Sequence, residues 1–322
     1  MNVLITNIGR RGYLVDYIKQ ITLFKGKVYV SDCDITASGL YGKADEHFLL
    51  PKPSDDIEKY VSVLIELCRR KEISIVIPVI DPEIYLLSEY VELFKKNGIL
   101  LLVSSKNVLD ICYNKILMND FLVRNHFYLP KSYTDLKSAE TALKNNEIKY
   151  PLIVKPVYGS GSVSTSFVNS LEELRSSYKE GLFIQEVIIG TEYGIDVFND
   201  LSKNPVRCVI KKKISMRSGE TDKAVSVKNQ KLLNDTMKLA FNLGHIGNLD
   251  IDAIISEDNK IYFLDLNPRF GGGYPITHEV GVNLVELVIK LFNQEKITPL
   301  FNNYEENIMV MKTISTVKTR YQ

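Results

Sequence analysis

Toward the C-terminus the sequence gathers groups suited to hold a cation: Asp250 and Asp252 on one strand-like segment, then Asp265, Asn267 and Arg269 on and just after the next. Side chains alternate along a strand, so Asp265 and Asn267 share one face. Asp250 and Asp252 meet them if the chain turns as a hairpin at Ser256-Glu257-Asp258-Asn259. Carboxylates crowded on one face repel one another unless a cation lies between them, and hard oxygen donors suit Mg²⁺. Two acids and an amide on neighbouring strands therefore predict a magnesium site, one that carries a nucleotide phosphate.

Upstream, Lys155 ends the apolar run Tyr150–Val154 and precedes Gly159-Ser160-Gly161-Ser162. Such a loop is either a plain hairpin turn or a phosphate cradle. In a cradle, backbone N–H groups and hydroxyls meet phosphate oxygens and the ammonium adds positive charge. An ammonium emerging from a buried strand favours the cradle. The stretch Gln185-Glu186-Val187-Ile188-Ile189-Gly190-Thr191-Glu192 separates two strands; alone it is a turn with surface acids, but its edge backbone and apolar neighbours also suit an adenine. Lys211, Lys212 and Lys213 lead into a polar segment, Ser215–Lys223, expected to be a mobile loop. Strand alternation puts Lys211 and Lys213 on one face and Lys212 on the other, so only part of the triplet can address a ligand.

Periodicity supplies the elements that carry these residues. Strands at Val3–Thr6, Lys27–Ser31, Ile73–Pro78 and Ile99–Val103 alternate with helices at Gly12–Leu23, Asp55–Lys71 and Pro82–Asn97. That order implies a parallel, doubly wound sheet over residues 1–105. Its first loop, Asn7-Ile8-Gly9-Arg10-Arg11-Gly12, lacks the GxGxxG dinucleotide pattern. Asp32 and Asp34 either hold ribose hydroxyls or sit in a solvated loop, and Asp81 and Glu83 either line an inter-domain cleft or start a helix. From about residue 106 the pattern becomes α+β and mostly antiparallel. A helix over Asn107–Asn125 opens it, and strands follow at 150–156, 164–169, 182–187, 194–199, 206–214, 248–255 and 261–266.

Composition narrows the function. The chain of 322 residues is long enough for two or three domains, and 45% hydrophobic with 25% charged residues is the balance of a globular protein. A net charge of +1, from 40 basic and 39 acidic residues, gives no field for non-specific nucleic-acid or membrane binding. No apolar run approaches the ~18 residues of a spanning helix. Four scattered cysteines without a CxxC pair and only four histidines disfavour zinc and imply free thiols in a cytoplasmic protein.

Taken in order, Lys115, Lys155 with its Gly-Ser loop, Gln185-Glu186…Gly190…Glu192 and Asp252…Asp265-x-Asn267-Pro268-Arg269 resemble the ATP-grasp superfamily across essentially the whole chain. Asn267-Pro268-Arg269-Phe270-Gly271-Gly272-Gly273 and Gly281-Val282-Asn283-Leu284 are most similar to units of the carbamoyl-phosphate synthase large subunit and related small ligases. The resemblance implies a Rossmann-like pre-ATP-grasp domain (1–105), an N-terminal ATP-grasp subdomain with the phosphate loop (106–190) and a C-terminal subdomain with the metal and substrate site (191–322).

By the same resemblance Lys115 and Lys155 contact ATP phosphates, and Gly159, Ser160, Gly161 and Ser162 close over them. Gln185, Glu186, Val187 and Ile188 read adenine, and Glu192 holds the ribose. Asp252, Asp265 and Asn267 ligate Mg²⁺ or Mn²⁺, Arg269 meets the transferred phosphoryl group, and Arg217 is the candidate for holding the acceptor carboxylate or acyl phosphate. Two positions depart from the family: Asp265 stands where Glu is usual, and Asn114 precedes the first lysine in place of an acid. The implied function is an ATP-dependent carboxylate–amine ligase acting on small molecules, with a homodimer as the expected assembly. A carbamoyl-phosphate-synthase-like subunit working with partners, or a silent ATP-binding regulator, are the alternatives.

Overall fold

A computed structural model of the chain describes residues 1–159 and 165–320. Its first part is a parallel sheet. β1 (Asn2–Thr6), α1 (Tyr13–Lys19), β2 (Val28–Asp32), β3 (Glu46–Leu49), α2 (Ile57–Arg70), β4 (Ile73–Pro78), α3 (Asp81–Leu87), α4 (Val91–Lys96) and β5 (Leu100–Leu101) follow in sequence. The strands lie in the order β3-β2-β1-β4-β5. A central parallel strand is covered on both faces, and β1 is accordingly apolar throughout. Val3 and Ile5 face one core, and Leu4 faces another built with α2, α3 and α4. Strand order reverses between β1 and β4, so the loops after them open at the same edge, where ligands of such sheets gather.

The rest is two antiparallel lobes. α5 (Lys106–Tyr113) and α6 (Lys115–Arg124) lead to β6 (Ser132–Tyr133), α7 (Leu136–Lys144), β7 (Leu152–Pro156), β8 (Ser166–Val168), α8 (Leu171–Ser177) and β9 (Leu182–Glu186). The four strands form a sheet ordered β6-β9-β7-β8 with a small core of its own. The larger lobe comprises β10 (Gly190–Asn199), β11 (Pro205–Arg217), β12 (Glu220–Ser226), α9 (Gln230–Leu243), β13 (Gly247–Ser256), β14 (Ile261–Asn267), α10 (Tyr274–Glu279), α11 (Leu284–Phe292) and β15 (Met309–Met311). Its sheet runs β14-β13-β10-β11-β12-β15. One face packs on α9 and α6, and the other shares a continuous core with α1, α11 and β1 of the parallel domain. Among the described residues no helix is long and apolar enough to cross a membrane.

Three expectations are corrected. The helix expected over 82–97 breaks into α3, a 3-10 turn at Ser88–Tyr90 and α4. The polar segment after Lys213 is no mobile loop: it completes β11, turns at Ser218 (φ 50°) and Gly219 (φ 77°), and returns as β12. The helix expected over 107–125 is interrupted at Asn114. Here the extended backbone bridges Tyr158, and the Lys115 N–H donates to the Val157 carbonyl at 3.0 Å. The Asn114 carboxamide then caps α6 by accepting from the N–H groups of Ile116 and Leu117 at 2.9 and 3.3 Å. The break turns Lys115 inward at the first position of a new helix. Replacing the cap removes an acceptor that such helix starts depend on. Asn114→Ala is thus expected to lower unfolding free energy by about 1 kcal/mol in urea titrations; an unchanged midpoint would dismiss the cap.

Candidate active site

The hairpin expected at Ser256–Asn259 forms, with Asn259 at φ 57°. Its register pairs Asp252 with Asp265 and Asp250 with Asn267. One bulge decides which way these side chains point. Asp265 pairs with Asp252 but Phe263 pairs with Ala253, leaving Leu264 as the extra residue. Strict alternation would put Phe263 and Asp265 on one face. The bulge re-aims the strand, so Phe263 enters the core behind the sheet while Leu264 and Asp265 line the cleft in front of it.

Three lysines from three elements converge there. Lys115 Nζ lies 2.9 Å from Asp265 Oδ1 and donates to the Gly159 carbonyl at 3.2 Å. Lys213 Nζ lies 2.5 Å from Asp252 Oδ1. On β7, Leu152 and Val154 enter the small-lobe core, so Ile153 and Lys155 face the cleft. Among the described residues no carboxylate lies within ion-pair distance of Lys155. Burial pushes the Lys155 ammonium below its usual pKa; Asp265 opposes that shift and Lys115 adds to it. Burial also acts against Asp265, but Lys115 and Lys155, with Lys213, hold its carboxyl below the usual range. For Lys213, Asp252 outweighs burial and raises the pKa.

These groups line a cavity of ≈ 630 Å³ between the two lobes, of the size small-molecule and cofactor sites have. Gln185, Glu186, Val187, Ile188 and Glu192 border it, and Ile153, Phe167, Met216, Ile254 and Leu264 give it apolar walls. Glu186 is anchored, accepting from the Lys131 N–H at 2.7 Å, and Gln185 donates to Ser132 Oγ at 3.1 Å. Among the described residues no backbone hydrogen bond engages Val187 or Ile188. Gly159, at φ 104°, sits at the rim; Ser160, Gly161 and Ser162 lie outside the described residues.

A second cavity of ≈ 210 Å³ shares Lys213, Met216, Gly219, Asp252 and Asp265 with the first and extends toward the parallel domain. Arg269 lies on it. Its guanidinium grips Asp81, at the start of α3, with Nε at 2.8 Å and Nη2 at 3.1 Å, and Nη1 stands 3.7 Å from Asp250. Asp81 thus starts a helix and pairs across the domains with Arg269, while Glu83 is buried and accepts from Tyr60 Oη at 2.5 Å. Asp32 and Asp34 accept local backbone N–H groups of the turns at Gly9, Asp34 and Thr36. Gly271 is required where it stands, since a Cβ there would lie 1.9 Å from Asp250 Oδ2.

Arg217 is a correction. It does not line either cavity; it pairs with Asp222 at 3.1 Å, with its side chain 55% exposed. The register shifts between Lys213 and Met216 exchange the two faces of β11, and Met216 reaches the cleft in its place. Lys211 is buried elsewhere, on Asp196 and Thr277. Sequence reasoning missed Arg11 and Glu220 on the second cavity; only the paired basic residues in a glycine-bounded loop hinted at the first. Asp252, Asp265 and Asn267 form an all-oxygen donor set open to the cleft, which suits a hard divalent cation.

A parallel α/β domain followed by two antiparallel lobes that close on paired lysines and acids defines an ATP-grasp architecture. Residues 112–273 match the family model for the ATP-grasp domain and residues 3–102 that for the PylC-like N-terminal domain, and the chain belongs to the ATP-grasp family. It is 24% identical over 226 residues to the carbamoyl phosphate synthase large chain of Campylobacter jejuni. That match takes in 65% of this chain but only 21% of the relative, so the chain spans about a fifth of its length. Among solved structures, biotin carboxylase from Campylobacter jejuni superposes with a TM-score of 0.72 at 20% identity, covering 96% of this chain and 74% of that one. N5-carboxyaminoimidazole synthetase of Staphylococcus aureus in complex with ADP gives 0.73 at 14%, covering 95% and 79%. L-amino acid ligase from Bacillus licheniformis gives 0.69 at 17%, covering 92% and 77%. These likenesses establish the fold.

Asp250 gives the site a pH signature. Burial and the Asp196 and Asp252 carboxylates push it up to about 7, against Arg269 and Lys211. A folded-state pKa above the unfolded one adds stability that is complete below the unfolded value and fades as pH rises through the folded one. The contribution of Asp250 should accordingly decline between about pH 4 and pH 7. Asp250→Asn should flatten that part of the stability profile in denaturant titrations; an unaltered slope would refute the assignment.

Proposed function

We propose that the protein is an ATP-dependent carboxylate–amine ligase. One observation carries the reading: Lys115, Lys155 and Lys213 converge on Asp252 and Asp265 in a nucleotide-sized cleft, and Lys155 is held there without a carboxylate partner among the described residues. A buried ammonium of this kind is completed by a phosphate. In this reading Lys115 and Lys155 hold ATP phosphates, with Gly159 and the three residues after it at the β- and γ-phosphates. The backbone of Gln185–Ile188 reads adenine between the apolar walls, and Glu192 receives the ribose. Asp252, Asp265 and Asn267 would hold Mg²⁺, or Mn²⁺ in its place, which neutralises phosphate charge when bound.

A substrate carboxylate oxygen attacks the γ-phosphorus and the bond to the β-phosphate oxygen breaks, releasing ADP. The acyl phosphate so formed is attacked at carbon by an amine. Its C–O bond breaks, phosphate departs with the electron pair, and the nitrogen loses a proton to leave an amide. The chain needs no nucleophile of its own; it positions the groups and neutralises charge. Arg269, gripped by Asp81, has its fork fixed beside the acids, where a planar donor suits a phosphoryl or acyl phosphate group.

A carbamoyl-phosphate-synthase-like subunit role is the second reading, favoured by the 24% identity to that large chain. Homodimerisation belongs to the first, since one similar structure is a biotin carboxylase domain dimer.

ADP release across a panel of carboxylates, with hydroxylamine to trap the acyl phosphate, tests the proposal. Carboxylate-dependent ADP and a hydroxamate are expected, whereas turnover confined to bicarbonate would favour the second reading. Asp265→Asn and Lys155→Met should each lower kcat/KM by about 100-fold or more, the scale on which single electrostatic stabilisers act. Near-normal turnover in Asp265→Asn would remove the metal assignment.

A further inference from the structure

The ligase reading leaves one cation on the second cavity, Arg11, unassigned. Arg11 comes from the loop after β1. The loop is locked in place: the Gly39 N–H donates to the Gly9 carbonyl at 2.8 Å, and the Gly9 N–H donates to Asp32 Oδ2 at 2.8 Å. A Cβ on Gly39 would lie 2.7 Å from Ile8 Cγ1, so only glycine permits this seating. Tyr13 Oη, donating to the Gly271 carbonyl at 3.3 Å, ties the loop to the glycine run beside the acids. Arg11 is thereby carried across from the parallel domain onto the cavity wall, with its side chain only 17% exposed.

Its guanidinium is under-used. Nε is buried without a hydrogen-bond partner among the described residues. The nearest carboxylate, Glu220, stands 3.6 Å away, beyond hydrogen-bond distance. Glu220 is also shared with Arg10 at 3.9 Å and Lys312 at 3.5 Å, so one carboxylate serves three cations. Glu220 lies across Gly272, where a Cβ would come within 2.5 Å of its Cδ. The cavity thus presents a planar cation with spare donors at one end and Arg269 with the metal-type acids at the other.

We infer that Arg11 binds the anionic group of the amine substrate, and that this substrate is a small zwitterion of the amino-acid type whose carboxylate lies on the Arg11 guanidinium. The inference rests on the ligase reading. The carboxylate to be activated must lie against Arg269 and the acids, which leaves the Arg11 end to the nucleophile. A space of ≈ 210 Å³ is about seven water volumes at ~30 Å³ each, the scale of a small molecule such as an amino acid. A planar fork binds a carboxylate bidentately. The loop after β1, which lacks the dinucleotide pattern, is on this account part of the acceptor site.

The test uses the full chain with Mg·ATP and the twenty L-amino acids, D-alanine and β-alanine as probes. ADP release is read with each alone and in pairs. Every active amine is then re-measured as its carboxamide and as its decarboxylated amine. The wild type should prefer the carboxylate-bearing amine by at least about 10-fold in kcat/KM, the value of a charge-assisted hydrogen bond. Arg11→Gln should raise the amine KM by about 10-fold and erase the preference, with the KM for ATP unchanged. Arg11→Lys should restore part of the preference, and Arg10→Gln, at an exposed neighbour, should change neither. Mg·ATP binding by calorimetry reports folding in each variant. A preference that survives in Arg11→Gln, a wild type indifferent to the carboxylate, or no ADP release with any probe despite Mg·ATP binding and hydroxamate formation from another carboxylate would each overturn the role of Arg11 alone. Failure to bind Mg·ATP, or to release ADP with any carboxylate, would sink the ligase reading itself.

Discussion

Two carboxylates facing each other across paired strands repel, and the cleft is organised around making Asp252 and Asp265 tolerable in that arrangement. Each receives its own lysine, and each lysine comes from a different element: Lys213 from the large sheet, Lys115 from the start of α6. Charge alternates further along the same face. Asp196 is compensated by Lys211 and Asn248, and Asp250 stands against Arg269, which in turn holds Asp81 of the parallel domain. Removing one member leaves its neighbour buried and unpaired, which costs more than the pair contributes. The ladder of charges therefore ties together sheet register, helix start and domain packing.

Two local irregularities aim the ladder. The Leu264 bulge turns Asp265 toward the cleft without surrendering Phe263 to solvent, and the break at Asn114 turns Lys115 inward. Asn114 accepts two N–H groups as a helix cap, a task an amide performs as well as an acid. The departure from the family pattern at that position is thus compatible with the local structure.

The hydrophobic rhythm of the chain exposed the parallel domain, the antiparallel remainder and the Ser256–Asn259 hairpin, because each depends on periodicity and turn residues alone. The spacing of Asp250, Asp252, Asp265 and Asn267 was likewise readable, since strand pairing converts it directly into proximity. Where strands slip, reading failed. The shifts in β11 sent Arg217 to Asp222 and Met216 to the cleft, and no residue in 213–217 signals them. The polar run after Lys213 looked mobile because the partners of Glu220, Arg11 and Lys312 among them, are distant in sequence. The partner of Asp81 became visible only once the packing of the two domains brought Arg269 to it.

The way the cores are divided has a mechanical meaning. The parallel domain and the six-stranded sheet share one apolar core, whereas the small lobe bearing Lys155 and Phe167 packs on a separate one and rejoins the large sheet through residues 187–189. Tightly packed interiors resist deformation, so the jaw that carries Arg11, Arg269 and the acids is a fixed anvil. Any rocking of the other jaw alters the grip on whatever lies between them while leaving the distances within the anvil untouched.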